Sequence, residues 1–277
     1  MFETLFSLPQ GERFSGNGGG SLNTEDFKDN LQVVQTVHDG AMFEDLLRFY
    51  YPPPPKLGAL NNVINLLHAA NYYQIDEIVS HLRGLVLSPC FLEKHPMRVY
   101  AIAWRCGWKD VVKKAALQML QKELTIRTLP VSGCPEMDEV PAGALLRLFE
   151  YHRACGEAAR SAVDWSVVKW KSKSRNATGS ICECPEYSAK IFKSSVVPPI
   201  TKKWWYDYLD EVRTQLRKTP CRDTILSRTY PSLVLAEKCE SCSSNYVETG
   251  VYCNMLVGAV EKAIREVSQL VYAKPSQ

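Results

Sequence analysis

Apolar residues recur three and four positions apart along most of this chain, a spacing that predicts a succession of amphipathic helices. One early run departs from it. Val33, Gln35 and Val37 alternate with Val34 and Thr36 in a β-branched stretch, which predicts a short strand over 33–37. Asp39 then suits a helix N-cap, and Phe43, Leu46, Leu47 and Tyr50 fall on one face of the helix that follows. Pro52 to Pro55 have no backbone donor to continue that helix and end it. Ahead of this block, Phe2, Leu5 and Phe6 have the spacing of a short helix.

The helical pattern then repeats. Asn61 or Asn62 is placed to cap a helix with Val63, Leu66, Leu67 and Ala70 on one face. A second begins near Gln74, with Ile75, Ile78, Val79, Leu82 and Val86 apolar, and Ser88-Pro89 closes it. Pro96 suits the first position of a third, lined by Val99, Ile102, Ala103 and Cys106 and ended by Gly107. Asp110 opens a fourth, with Val111, Ala115, Met119 and Leu124 at approximate helical spacing. The segment 130–141, rich in Pro and Gly, reads as a loop. Leu145, Leu146, Phe149, His152, Cys155 and Ala159 outline another helix. Trp204, Tyr208 and Val212 share a stripe, and Leu256, Val260, Ala263, Ile264, Val267, Leu270 and Val271 give the C-terminal region a continuous apolar face.

Length and composition narrow the class. At 277 residues the chain suits one or two domains on a scale of roughly 150 residues each. A formal net charge of +3 is too small to argue for nucleic acid on electrostatics alone. Ten cysteines fall short of a disulfide scaffold at this length. The N-terminal M-F-E-T-L-F lacks the basic region of a secretory signal, and no uncharged apolar run approaches the ~18 residues of a membrane span. The expectation is an intracellular protein of cytoplasm or nucleus with reduced thiols. The sequon at Asn176-Ala-Thr178 is then a chance match. Gly16, Gly18 and Gly20 lack the preceding strand of a phosphate loop and read as a flexible linker.

The order strand, capped turn, helix ending L-L-R-F-Y-Y-P, then helix carrying A-A-N-Y-Y resembles the second half of a BTB/POZ domain. Met1 to Gln10, M-F-E-T-L-F-S-L-P-Q, is similar to the family segment that follows its first strands and first helix. The strings V-Y-A-I-A-W-R-C-G-W-K-D-V-V-K-K-A-A and L-L-R-L-F-E-Y-H-R-A-C are similar to segments that follow the core in a group of fungal, basidiomycete-type members. The expected fold is mostly α with a small β component: an incomplete BTB/POZ-like module over 1–89, a helical extension over 90–163, and a cysteine- and tryptophan-containing C-terminal domain over 164–277. The resemblance implies a protein–protein interaction adaptor that presents clients to a cullin-type ubiquitin ligase, with no enzymatic activity. The family's N-terminal strands and dimerisation helix are missing from this pattern, so homodimerisation is not expected.

The C-terminal third holds the remaining candidate chemistry. Cys182-Glu-Cys184 and Cys239-Glu-Ser-Cys242 could supply the four thiolates of one structural zinc, and relatives in the fungal group carry paired cysteines at both places. Against this, the C-x-C spacing is one residue short of the usual gap and the pairs lie far apart, so four reduced thiols in a small core is the commoner outcome. Lys169, Lys171, Lys173 and Arg175 alternate with Trp170 and serines, and Lys202-Lys203 precede Trp204-Trp205. Basic residues interleaved with aromatics can bind single strands, which gives the alternative of a zinc-stabilised nucleic-acid-binding transcriptional regulator. The acidic residues Asp207, Asp210 and Glu211 just downstream weigh against nucleic acid, and a solvated basic loop is the simpler reading. His68 and His81 sit beside packed helical faces without a second ligand at helical spacing and read as structural. Catalytic signatures of hydrolases, zinc proteases, nucleotide phosphate loops and dinucleotide folds are absent.

Overall fold

The computed structural model describes residues 27–28, 31–32, 36–127, 134–163, 186–188, 200–227 and 246–273. They fall into two compact units, Met1–Leu92 and Glu93–Gln277. Among the described residues both are mostly helical, and pairing between strands is confined to two short antiparallel ladders.

In the first unit, β1 (Phe27–Lys28) pairs with β2 (Leu31–Gln32), Phe27 opposite Gln32 and Lys28 opposite Leu31. Helix α1 (Gly40–Leu47) begins at the predicted cap, where Asp39 Oδ1 accepts from the Met42 amide at 2.9 Å. The predicted strand does not reach this cap. Residues 33–35 lie outside the described ones, while Thr36 and Val37 are not strand: Thr36 Oγ1 donates to the His38 carbonyl at 3.0 Å, a local bond that competes with a ladder.

Helix α2 (Leu60–Tyr72) opens one residue before the predicted asparagine caps. Its N-cap is Ala59, which makes no side-chain cap bond, and Asn62 Nδ2 instead reaches back to the Lys56 carbonyl at 3.4 Å. Leu60, Val63, Ile64, Leu66, Leu67, Ala69 and Ala70 are buried, a band wider than one face, because α2 packs on α1 on one side and on α3 (Asp76–Val86) on another. Gln74 turns the chain between α2 and α3 with φ of 57°, and the Ile75 amide closes onto the Ala70 carbonyl at 2.8 Å. Asp76 and Glu77 then favour the positive start of α3, whose Ile78, Leu82 and Val86 are buried. The short α4 (Pro89–Leu92) ends the unit with Phe91 buried. The Pro52–Pro53 peptide is cis.

The second unit begins with α5 (Pro96–Arg105), Pro96 in its first turn and Val99, Tyr100, Ala101, Ile102 and Ala103 all buried. Gly107, at φ of 68°, stops it as predicted, the Trp108 amide bonding the Ala103 carbonyl at 2.8 Å. Helix α6 (Lys109–Met119) packs along α5 and ends earlier than the apolar spacing suggests, leaving Leu124 beyond it. The predicted loop contains a 3-10 turn at Pro135–Glu139 that packs on α5.

Helix α7 (Ala142–Ala162) is the element on which the rest of this unit is laid. Its buried stripe is Ala144, Leu148, Tyr151, His152, Cys155, Gly156 and Ala159. That face is rotated from the predicted one, since Leu145 and Phe149 are half-buried and Leu146 is 62% exposed. The later predicted positions His152, Cys155 and Ala159 are buried, while covering of α7 from several directions also buries Ala144, Leu148, Tyr151 and Gly156. Strands β3 (Glu186–Ser188) and β4 (Ile200–Lys202) form the second ladder, and β4 runs into α8 (Lys203–Leu216). Tyr208, Leu209, Val212 and Leu216 of α8 are buried, and a short α9 over 222–227 follows. Helix α10 (Tyr246–Ala273) packs along α7, burying Cys253, Leu256, Val257, Val260 and Ile264. Its predicted apolar face does not stay covered to the end: Val267 and Val271 are half-buried and Leu270 is exposed.

The approach of α8 to α7 leaves no room for a side chain at Gly156, where a Cβ would stand 2.5 Å from the Arg217 carbonyl oxygen. Gly156→Ala is therefore expected to destabilise by about 1–3 kcal/mol, the range for overpacking a filled site. Gly84, inside α3 with nothing within 4 Å of its Cβ position, is the contrasting case. Gly84→Ala should stabilise by about 0.5–1 kcal/mol through helix propensity. Thermal unfolding of the two variants checks both signs.

Candidate functional site

The end of α1 presents side chains that a helix core would normally cover. Leu47 and Tyr50 are each 53% exposed and Tyr51 is 67% exposed, directly before the exposed Pro52, Pro53 and Pro54. Val37, just before the α1 cap, and Tyr72, at the end of α2, are also exposed. Two rings at this end of α1 are nonetheless held in place. Tyr50 Oη donates to Glu77 Oε2 at 3.3 Å, and partial burial followed by that carboxylate pushes the Tyr50 pKa up. Phe49 meets His81 edge to face, with ring centroids 5.4 Å apart.

A ring cluster fixes the other end of α1. His38 Nδ1 and Tyr73 Oη lie 3.1 Å apart and share a hydrogen bond. The His38 ring also lies against Tyr72 and Tyr73, Phe43 lies against Tyr73, and the two tyrosines cross at 86° with centroids 5.0 Å apart. Tyr73 is buried, so its hydroxyl needs a partner, and His38 supplies it. Leu47, Tyr50, Tyr51 and Tyr72 thus combine exposure with fixed backbones. Tyrosine is enriched where protein surfaces meet, because a large rigid ring covers area at small conformational cost.

In the second unit, chemistry-bearing groups are directed inward and tied down. Arg98 Nε donates to Glu136 Oε2 at 2.9 Å and Arg98 Nη2 to Glu136 Oε1, a two-pronged pair between α5 and the 3-10 turn. Burial alone would raise the Glu136 carboxyl, but the Arg98 bonds outweigh it and hold the pKa below the usual carboxylate range. Arg98 is held charged by the same bond. Cys134 Sγ donates to Glu136 Oε2 at 3.7 Å, and burial followed by that carboxylate pushes the thiol up to about 11. Arg105 and Glu139 add a second ion pair at 2.9 Å between the same elements.

Along α7 the pattern repeats. Tyr100 Oη donates to the Ala144 carbonyl at 3.0 Å, and burial pushes its pKa up to about 12. Tyr151 Oη and Ser268 Oγ lie 2.7 Å apart, linking α7 to α10, and burial pushes that phenol up as well. Cys155 is raised to about 11 by burial, and Cys106 is raised for the same reason. A thiol held protonated is a poor nucleophile and a poor metal ligand. The phenols contribute bonds between elements, and phenols and thiols alike are poorly suited to attack or proton transfer near neutral pH.

Cys182, Cys184, Cys239 and Cys242 lie outside the described residues, as do Lys169, Trp170, Lys171, Lys173, Arg175 and the Gly16–Gly20 loop. Among the described residues, no group of three or more His, Cys, Asp or Glu is placed to hold a metal ion. Among them, too, no helix is long and apolar enough to cross a membrane. Of the two histidines singled out by the sequence, His81 packs on Phe49, while His68 is exposed on α2. Sequence reasoning missed the His38–Tyr73 bond and the Arg98–Glu136 pair, which join residues 35 and 38 positions apart. The A-A-N-Y-Y string was the one local signal for the former. The chain matches no family model, no curated protein and no solved structure.

Two outcomes are expected. Arg98→Ala or Glu136→Gln, each leaving the other half of a buried pair, should cost about 3 kcal/mol in urea unfolding, and Arg98→Met with Glu136→Leu should recover most of that loss. His152 is buried on α7 with Nε2 donating to the Lys122 carbonyl at 3.0 Å, and burial lowers its pKa below 6.5 despite that bond and the nearby Glu123. The unfolded chain then takes up the proton first, so stability should be flat above about pH 6.5 and fall as the pH drops towards the lowered folded value. The urea midpoint measured from pH 8 to pH 5 should drop less steeply in His152→Gln.

Proposed function

We propose that this chain is an intracellular protein–protein interaction adaptor of BTB/POZ type, working in cytoplasm or nucleus and linking clients to a cullin-type ubiquitin ligase. The observation that carries the interaction reading is the exposed Leu47, Tyr50 and Tyr51 at the end of α1, held by Tyr50–Glu77 and Phe49–His81. Such a surface binds by burying aromatic and aliphatic anchors, without chemistry of its own. The second unit is consistent with that role, because its buried phenols are bonded across elements and its buried thiols are kept protonated. The BTB/POZ assignment and the cullin scaffold rest on the sequence resemblance. The alternative, a zinc-stabilised nucleic-acid-binding regulator, draws on cysteines and basic residues outside the described ones, and the adaptor is preferred for having a surface to act through.

The test is affinity purification of the tagged chain beside Leu47→Asp and Tyr72→Ser. The adaptor reading expects a cullin scaffold together with a stoichiometric client, and a loss of client of about tenfold or more in at least one variant, the scale of one interface hot spot. Partners recovered without a cullin would remove the ligase role. Recovery of the same partners by all three proteins would remove the surface.

A further inference from the structure

Beside the exposed end of α1 stands a carboxylate that no cation neutralises among the described residues. Glu77, in the first turn of α3, is exposed, and Tyr50 Oη donates to its Oε2 at 3.3 Å. That hydroxyl is the one partner of the Glu77 side chain among the described residues. Arg48, the cation of α1, is taken by Glu44 on its own helix. His81, one turn further along α3, is packed against Phe49 instead. The imbalance extends to the whole unit. Residues 1–92 hold ten acidic and five basic side chains, a formal charge of −5, although the complete chain carries +3. A first-turn position accounts for a negative charge on α3, but not for the exposed ring fastened to it.

We propose that this face receives an arginine of a partner protein, its guanidinium paired with Glu77 and laid on the Tyr50 ring. The inference rests on the interaction reading for the existence of a protein partner, and it names the chemistry of the contact. Charge decides the class of occupant. A purely apolar segment settling on Tyr50 and Leu47 would cover Glu77 and leave a desolvated charge without a counterion. A phosphate-bearing surface would meet a like charge. The occupant must therefore bring a cation, and arginine fits this pair of groups better than lysine. Its planar fork pairs with a carboxylate and stacks on an aromatic face, whereas an ammonium is a compact, strongly hydrated point charge. Its aliphatic stem suits the exposed Leu47 and Tyr51 in the same stretch of chain. Because Glu77 already holds the Tyr50 hydroxyl, the ring has little freedom left to lose on binding.

The test titrates the full chain with the peptide acetyl-Leu-Arg-Leu-Leu-Arg-amide and with its lysine counterpart. Binding is read from the NMR signals of labelled tyrosine rings, that of Tyr50 being assigned by its loss in Tyr50→Phe. The arginine peptide should bind saturably and shift the Tyr50 signal, and the lysine peptide should bind about fivefold or more weakly. Glu77→Gln keeps an acceptor for the Tyr50 hydroxyl, so it should fold normally while weakening the arginine peptide by about tenfold or more. Glu150→Gln, on the exposed side of α7, should bind as wild type. Should Glu77→Gln unfold, the wild-type affinity should still fall steeply as salt is raised, because the pair is open to screening. Absence of saturable binding, equal binding of the two peptides, or an affinity indifferent to both Glu77→Gln and salt would overturn the proposal. Loss of a client from Leu47→Asp without any arginine binding would also overturn it, while leaving the interaction surface in place.

Discussion

In the second unit the packing of α8 and α10 depends on how closely they can approach α7. At Gly156 the Arg217 carbonyl comes near enough that a methyl group would collide with it. Ala144, Cys155 and Ala159 continue the run of small side chains along the buried stripe. Small residues at a crossing let backbones approach, and larger residues on the facing helices fill the remaining volume. Leu216 and Val212 of α8 and Val260 and Ile264 of α10 are of that larger kind, and all are buried.

Polar side chains then lock what close packing allows. Tyr100 reaches the Ala144 carbonyl, Tyr151 reaches Ser268, and Arg217 pairs with Glu157 at 2.8 Å. Each bond joins separate elements, and each buried one must be made, because an unmet polar group in a dry interior costs more than its bond returns. The same demand decides their chemistry. Burial raises the pKa of these phenols, and of the buried thiols Cys134 and Cys155, and reduces their reactivity. The first unit differs in kind. Its Tyr50, Tyr51 and Tyr72 are exposed, while Tyr73 is buried and bonded to His38.

Features set by neighbours in the chain were legible in the sequence. The Asp39 cap, Pro96 in a first turn and the Gly107 stop each follow from backbone rules spanning a few residues, and the structure has all three. Apolar spacing located the helices, and Ile78, Leu82 and Val86 are buried together as that spacing requires. It failed where burial came from several sides. On α7 the predicted His152, Cys155 and Ala159 are buried, but in the first turns Ala144, Leu148 and Tyr151 are buried in place of Leu145, Leu146 and Phe149. The asparagine cap failed because the helix opens at Leu60, ahead of both asparagines, which leaves Asn62 inside it with Nδ2 donating back to the Lys56 carbonyl. Gln74 was unreadable, since a positive φ at a non-glycine residue is imposed by the helices it joins. The candidate surface was half legible: the tyrosines and prolines stood in the sequence, but their exposure and their fastening to Glu77 and Asn62 depend on tertiary contacts.

The central claim is that one chain carries a tightly locked helical core on α7 and an open, solvent-exposed segment after α1. Native-state hydrogen exchange on the full chain, read by mass spectrometry, tests it most directly. The account predicts that amides from Leu148 to Ala159 exchange slowest, opening only with global unfolding of their unit. The amides of Lys56, Leu57 and Gly58 should exchange within the earliest time points. Early exchange across the middle of α7, or strong protection through residues 56–58, would contradict it.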